Sequence, residues 1–259
     1  MKLDVVYVPK GAALEYAPLA VNLYTGCSHG CKYCFAPACL HVTREEFSVP
    51  VARKDILSRL ARDAQKLFGD ERPILMCFTC DPFPELEKQL LLTQRAMIVL
   101  GSLKMKVRVL TKNGALAQRD FPTMKQYDVE FGETISFDDE HLREEWEPGA
   151  PSIASRMNAM AEAHRLGIRT WVSMEPVIEA APALRVLDLL KDYVDVWKIG
   201  KLNHMAAVEK LVDWRAFLRA ALEKLEGMSC GYFIKDALWK FADESIKARW
   251  PKERCEWPR

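Results

Sequence analysis

The sequence predicts an α/β domain built on a parallel sheet, either open and doubly wound or rolled into a complete or partial barrel. Two observations predict it. Short apolar, β-branched runs alternate with longer segments of helical period, and such alternation implies parallel pairing through right-handed crossovers. The residues that look chemical fall at the carboxyl ends of those runs, where both architectures place their functional groups. In chain order the expected strands are Val21–Thr25, Ile74–Thr79, Val107–Thr111, Thr134–Phe137, Arg169–Met174 and Val194–Ile199.

Helical patterns lie between them. Over Lys54–Phe68, the residues Ile56, Leu57, Leu60, Ala64, Leu67 and Phe68 fall on one face. Glu87–Leu103 is rich in leucine, with a Gly-Ser break near its end. Pro151–Leu166 begins with Pro-Ser and stops at Gly167, a start and a stop in the expected places. Pro182–Lys191 is short. Val208–Leu225 carries Leu211, Trp214, Leu218, Leu222 and Leu225 at spacings of three and four, ahead of Gly227. With no internal repeat, low-complexity stretch or long linker, one domain over 1–259 is expected, with a core at about 19–205 and a helical closure at about 206–259.

Composition narrows the function. The chain has 259 residues, 49% of them apolar, which supplies a core without disulfides. Lys plus Arg is 37 and Asp plus Glu is 36, so the basic excess of a general polyanion binder is missing. The first ten residues hold Asp4 and a four-residue apolar run, too little for a signal segment. Runs such as Ile74–Phe78 are five residues long, against the ~20 needed to cross a bilayer. A cytoplasmic protein with no membrane partner is expected. Its eight cysteines then point to metal binding, redox chemistry or buried apolar thiols rather than to a disulfide framework.

The strongest signal follows the first expected strand. Gly26-Cys27-Ser28-His29-Gly30-Cys31-Lys32-Tyr33-Cys34 sets three cysteines at the spacing Cys-x3-Cys-x2-Cys. With this cysteine content such a triple arises by chance roughly 0.008 times. Three close thiolates ask for a soft centre, either zinc or iron–sulfur. A structural zinc wants a fourth ligand, for which Cys39 or His29 is available. A cubane with one open iron needs only the three.

Cys27, Cys31 and Cys34, with aromatic Tyr33 before the last of them, resemble the signature loop of the radical S-adenosylmethionine (SAM) superfamily. That resemblance implies a partial (β/α)6 TIM-like barrel of the radical SAM type, with this loop after its first strand. It implies that the three cysteines hold a 4Fe-4S cluster whose open iron chelates SAM, and that Tyr33 packs near the adenine. It also implies reductive cleavage of SAM to a 5′-deoxyadenosyl radical that abstracts a substrate hydrogen. The implied partners are SAM, a reducing electron donor such as flavodoxin or ferredoxin, and a substrate that is a nucleic acid, a peptide or a metabolite. The alternative is a cysteine-ligated zinc protein with a structural or nucleic-acid-binding role.

Further segments narrow the resemblance to the spore photoproduct lyase-like, or DNA repair photolyase-like, branch. Phe78-Thr79-Cys80-Asp81-Pro82-Phe83 with Glu87-Lys88 and Leu92-Thr93, Val109-Leu110-Thr111-Lys112, Ser136 within Ile135-Ser136-Phe137, and Glu147-Pro148-Gly149-Ala150-Pro151 with Arg156 are similar to that branch's segments. They span roughly residues 19 to 200. The implied roles are physically reasonable. Asp81 can accept from the SAM ammonium, Lys112 can pair with its carboxylate or a ribose hydroxyl, and Ser136 can bond the ribose or the carboxylate. Glu175, ending a strand before Pro176, points to the barrel mouth and can bind substrate or ribose. Lys198 to Asn203, after the last expected strand, is a weaker candidate for the adenine or substrate region.

In that branch's lyase a cysteine near the Asp81 segment donates a hydrogen atom to the product radical. The matching position here is Phe78, flanked by Cys77 and Cys80. Strand alternation would put Cys80 on the face of Phe78 and turn Cys77 away, which makes Cys80 the candidate donor, the alternatives being a residue that only lines the SAM pocket beside Asp81 or a buried apolar thiol. Finally, Lys235, Lys240, Lys247, Arg249, Lys252, Arg254 and Arg259 interleave with Trp239, Trp250 and Trp257. Asp236, Asp243, Glu244, Glu253 and Glu256 dilute this basic run, so a closing amphipathic helix whose aromatics cover the barrel is expected there rather than a nucleic-acid stacking surface.

Overall fold

The computed structural model describes residues 2–255. Nine strands run in chain order: β1 Leu19–Val21, β2 Tyr24–Thr25, β3 Val51–Ala52, β4 Ile74–Met76, β5 Val107–Thr111, β6 Glu130–Thr134, β7 Thr170–Val177, β8 Val196–Lys201 and β9 Gly231–Ile234. Seven of them form one parallel sheet in the order β1-β4-β5-β6-β7-β8-β9, and β2 pairs with β3 in a separate antiparallel ribbon. The sheet is open, a partial TIM-like barrel rather than a closed one. Each strand lies beside its predecessor in the sheet because each crossover returns over the same face with the same hand. The register aligns the carboxyl ends: Val21 opposite Met76, Thr111 opposite Glu133, Thr134 opposite Ser173, and Ser173 opposite Lys198.

Strands β1 and β4 are buried at every residue, as expected of a parallel sheet covered on both faces. Helices Ile56–Lys66, Leu92–Gly101, Ile153–Arg165, Ala180–Leu190 and Trp214–Glu226 supply the outer layer. Their starts follow local chemistry. Ser152 accepts the Ser155 amide at 3.2 Å, and Asp213 accepts that of Ala216 at 3.0 Å. Asp63, fully buried on the first of these helices, accepts the amides of Asp4, Val5 and Val6 and so moors the N-terminal segment.

Several expected elements are corrected. Val21–Thr25 is not one strand: it ends β1 and begins β2, which leaves the sheet. The fourth expected strand, Thr134–Phe137, is mostly the exit loop of β6; Glu130, Gly132 and Glu133 hid the true strand from its hydrophobic pattern. Glu87–Leu103 breaks at Leu91, which adopts φ 49° and separates Glu87–Leu90 from Leu92–Gly101. Phe68 lies outside its helix and is 72% exposed, and Leu211 sits in a loop at 81% exposure, so neither joins the apolar face assigned to it. The sheet has a seventh strand, β9, inside the region read as a helical closure. In that region Trp250 is buried and Trp239 packs against the core, which leaves neither free as a stacking platform. Trp257, Glu256 and Arg259 lie outside the described residues. No helix among the described residues is long and apolar enough to cross a membrane.

Candidate active site at the carboxyl end of the sheet

A cavity of about 440 Å³ opens at the carboxyl ends of the strands. Cys27, Cys31, Cys34, Tyr33, Cys80, Asp81, Lys112 and Glu175 all line it. Ser136 does not. The strand that was to end in Ser136 ends at Thr134, and it is Thr134 that reaches the cavity. Ser136 is buried beyond the strand, its hydroxyl without a hydrogen-bond partner among the described residues.

The cysteine loop is held by backbone. Gly26 adopts φ 79°, and a Cβ there would lie 2.3 Å from the Val49 carbonyl, so the turn into Cys27 requires glycine. The Cys27 amide donates to the Phe47 carbonyl at 2.7 Å. Arg44 reaches in from the short helix Arg44–Phe47 and donates to the carbonyls of Cys31 and Lys32 at 3.0 and 2.8 Å. Arg44 carried no signal in the sequence, because its partners are main-chain oxygens. On the other side Gly149 donates its amide to the His29 carbonyl at 2.9 Å. A Cβ at Gly149 would sit 2.2 Å from the Ser28 carbonyl, which accounts for glycine in the Glu147-Pro148-Gly149 segment.

Burial pushes the Cys27 thiol up and the Cys31 thiol to about 11, with Lys112 pulling both down. Such thiols bind a metal centre only if its positive charge displaces their protons. Thiolates around one tetrahedral zinc stand about 3.8 Å apart. Among the described residues no three His, Cys, Asp or Glu side chains are gathered for a single metal ion. The three loop thiols border one cavity, which Cys39 also lines, and soft donors of this kind suit zinc or iron–sulfur. His29, a possible fourth zinc ligand, is committed elsewhere: its Nε2 lies 2.9 Å from Asp81 Oδ2.

Asp81 is a hub rather than an open acceptor. Its carboxylate meets His29 Nε2 at 2.9 Å, the Lys112 amide at 2.9 Å, the Thr111 hydroxyl at 2.7 Å and the Phe83 amide at 2.8 Å. Burial alone would raise its pKa, but the His29 ring and these donors outweigh it and bring it down to about 2. Four donors occupy the roughly four lone-pair sites of a carboxylate. The sequence placed Asp81 against the SAM ammonium; here it fixes the cysteine loop to the end of β5. Below it Glu87 is buried, accepting from the Tyr24 hydroxyl and from the Thr93 amide at 2.8 Å, while Thr93 donates to the Pro82 carbonyl. That part of the motif is scaffold for the Asp81 turn.

A second hub joins three elements. Glu147, buried, accepts from the Tyr33 hydroxyl and from Arg156 at 2.5 Å, and its Oε1 lies 3.8 Å from Lys112 Nζ. Burial opposes its charge, yet Lys112 and Arg156 prevail and hold its carboxyl below the usual range. Lys112 lies 5.5 Å above the Tyr33 ring. Burial disfavours its charge too, but Cys31 and Glu147 raise its pKa on balance. The motif residues Glu147 and Arg156 thus aim Tyr33 and Lys112 into the cavity, a role that sequence spacing did not reveal.

The far wall is different. Glu175 accepts from the Tyr16 hydroxyl at 2.5 Å and pairs with Lys235 at 2.6 Å, and Tyr16 also meets the Ser173 hydroxyl at 2.9 Å. Glu175 is therefore an engaged cavity residue and not a solvated strand-end acid. Tyr16 and Lys235 belong to the segments before β1 and after β9, too far from any motif to be found in the sequence. Tyr16, Phe78 and Phe35 form an aromatic shelf, with ring centroids 5.7 and 5.6 Å apart in succession. Lys198 lies within β8, not after it; it is fully buried beneath the cavity, against the Phe233 ring and the Glu15 carbonyl. Lys201, Leu202, Asn203 and His204 line the cavity.

The Cys77 and Cys80 reading is corrected. Strand β4 stops at Met76, and Cys77 takes φ 66°, so alternation no longer applies. Both cysteines line the cavity, with Cys77 buried and Cys80 half-buried.

No family model matches the sequence. Among curated proteins the chain is 27% identical over 164 residues to the uncharacterized protein MJ0683 of Methanocaldococcus jannaschii, covering 62% of this chain and 61% of that one. It is 26% identical over 184 residues to the uncharacterized protein Rv2578c of Mycobacterium tuberculosis, covering 66% of this chain and 52% of that one. The matches thus span about half to three-fifths of those relatives. Among solved structures, a spore photoproduct lyase variant with a dinucleoside spore photoproduct superposes with a TM-score of 0.69 at 15% identity, covering 90% of this chain and 78% of that one. SuiB of Streptococcus suis bound to S-adenosylmethionine superposes with a TM-score of 0.64 at 12% identity, covering 87% and 52%. The chain shares the fold of these two proteins.

Proposed function

We propose that the chain is a radical SAM enzyme. The observation that carries it is that Cys27, Cys31 and Cys34, in their signature spacing, border one cavity with Tyr33 and Lys112 in a fold shared with enzymes of that kind. Cys27, Cys31 and Cys34 would hold a 4Fe-4S cluster. When bound, that cluster would supply the electron for reductive cleavage of SAM and so the one-electron chemistry needed to abstract a substrate hydrogen. Lys112, charged and aimed by Glu147, binds the SAM carboxylate or a ribose hydroxyl. Tyr33, its hydroxyl fixed by Glu147, offers its ring to the adenine. Asp81 acts as a positioning residue through His29 and the Lys112 backbone. Thr134 takes the place assigned to Ser136 at the end of β6.

The aromatic shelf of Phe35, Phe78 and Tyr16 lines part of the cavity with apolar rings. Glu175 and Lys235 there give a substrate one acceptor and one donor. A reductant such as flavodoxin or ferredoxin is the partner this chemistry requires, and the substrate is a nucleic acid, a peptide or a metabolite. Anaerobic reconstitution with iron and sulfide tests the ligand set. Cys27→Ala, Cys31→Ala and Cys34→Ala are each expected to lose the cluster absorption, and Cys39→Ala to keep it. Loss in Cys39→Ala with retention in Cys31→Ala would refute the assignment.

A further inference from the structure

The segment Cys77-Phe78-Thr79-Cys80 places two thiols on one wall of the cavity. They sit together because β4 ends at Met76 and the left-handed backbone of Cys77 folds the segment into a turn. Two adjacent residues tether the sulfurs. The Leu23 amide donates to Cys77 Sγ at 3.5 Å, and Cys80 Sγ donates to the Tyr24 carbonyl at 3.3 Å. Cys77 is 4% exposed, whereas Cys80 is half-buried and meets whatever enters the cavity. An accessible sulfur backed by a buried one is the arrangement that thiol–disulfide exchange needs, with the outer sulfur attacking and the inner one resolving.

We propose that Cys77 and Cys80 are a redox-active dithiol that closes to an internal disulfide by exchange with a low-molecular-weight disulfide. Cys80, giving its proton to solvent, attacks one sulfur of the incoming R–S–S–R and expels R–S⁻, which takes up a proton. Cys77 then loses its proton, attacks the Cys80 sulfur of the mixed disulfide and expels the second thiol. The pair is oxidised by two electrons and the incoming disulfide is reduced to two thiols; excess thiol reverses both steps. In the reduced state Cys80 presents a transferable hydrogen to the cavity beside Asp81, and in the oxidised state it presents none. This pair stands on its own geometry and does not require the SAM chemistry.

The test is a redox titration of the full chain in buffers of reduced and oxidised glutathione, followed by acid quenching, alkylation in denaturant and tryptic mass mapping. Residues 67–88 form one peptide, because Pro73 protects the bond after Arg72, and Cys77 and Cys80 are its cysteines. The peptide is expected to pass in a single two-electron step from two alkyl groups to none, with the loss of two hydrogens. In Cys77→Ser the same buffers should leave a glutathione adduct on Cys80. A wild-type peptide that stays doubly alkylated in the most oxidising buffer, or that carries glutathione without an internal bridge, would overturn the proposal.

Discussion

Asp81 and Lys112 show what one residue can and cannot reveal. Both were legible in the sequence, because an acid before Pro82 and a lysine at a strand end stand out. Their roles separate only in three dimensions, where four donors saturate Asp81 and one carboxylate aims Lys112. The Asp81 pKa falls from 3.8 to about 2 on folding. A depressed carboxyl pKa stabilises the fold above its unfolded value and loses that contribution as pH falls through the folded one, here between about pH 4 and pH 2. The size is about 2 kcal/mol. Asp81→Asn should therefore be less stable than wild type by about that amount at pH 6, with the gap closing towards pH 2 in urea unfolding. Lys112→Ala is expected to weaken SAM binding by about 1.5–3 kcal/mol in calorimetry with cluster content unchanged. Wild-type affinity in that variant would remove Lys112 from the site. Ser136 was misplaced because a two-residue error in the end of a strand is invisible when the strand itself contains Glu130, Gly132 and Glu133.

Among the elements, the Glu147 segment carries the most consequence for its length. It joins the cysteine loop, the end of β5 and the helix Ile153–Arg165 through one carboxylate. Glu147→Gln leaves the buried Arg156 guanidinium without its charge partner, and such breakage costs about 3–5 kcal/mol. Urea unfolding should show that loss, together with a lowered yield of reconstituted cluster; a stability within 1 kcal/mol of wild type would deny the hub its role. Leu211→Ser makes the opposite test. At 81% exposure its leucine contributes little, and the variant should stay within about 0.5 kcal/mol of wild type. The sequence set Leu211 on an apolar face because the i, i+3, i+4 pattern continues through it. Asp213, capping a fresh helix at Trp214, interrupts the period. Arg44 and Tyr16 were beyond reach for another reason: their partners are backbone carbonyls or residues over a hundred positions away.

Across the whole molecule, alternation of short apolar runs with amphipathic segments was enough to foretell a parallel sheet, since neighbours in the chain are neighbours in the sheet. It did not foretell the seventh strand, because Gly231–Ile234 is four residues long and stands among charged and tryptophan-bearing helices. That strand nonetheless matters to the site, since the chain leaving it brings Lys235 to Glu175. The sheet therefore gathers onto one rim a cysteine loop from its first edge and a lysine from its last. The measurement that bears most directly on the function is the fate of SAM on anaerobically reconstituted protein given a strong reductant. The protein should carry about four irons per chain and release 5′-deoxyadenosine and methionine, with neither product formed by Cys31→Ala. A chain that instead retains one zinc, takes up no iron and leaves SAM intact would contradict the account.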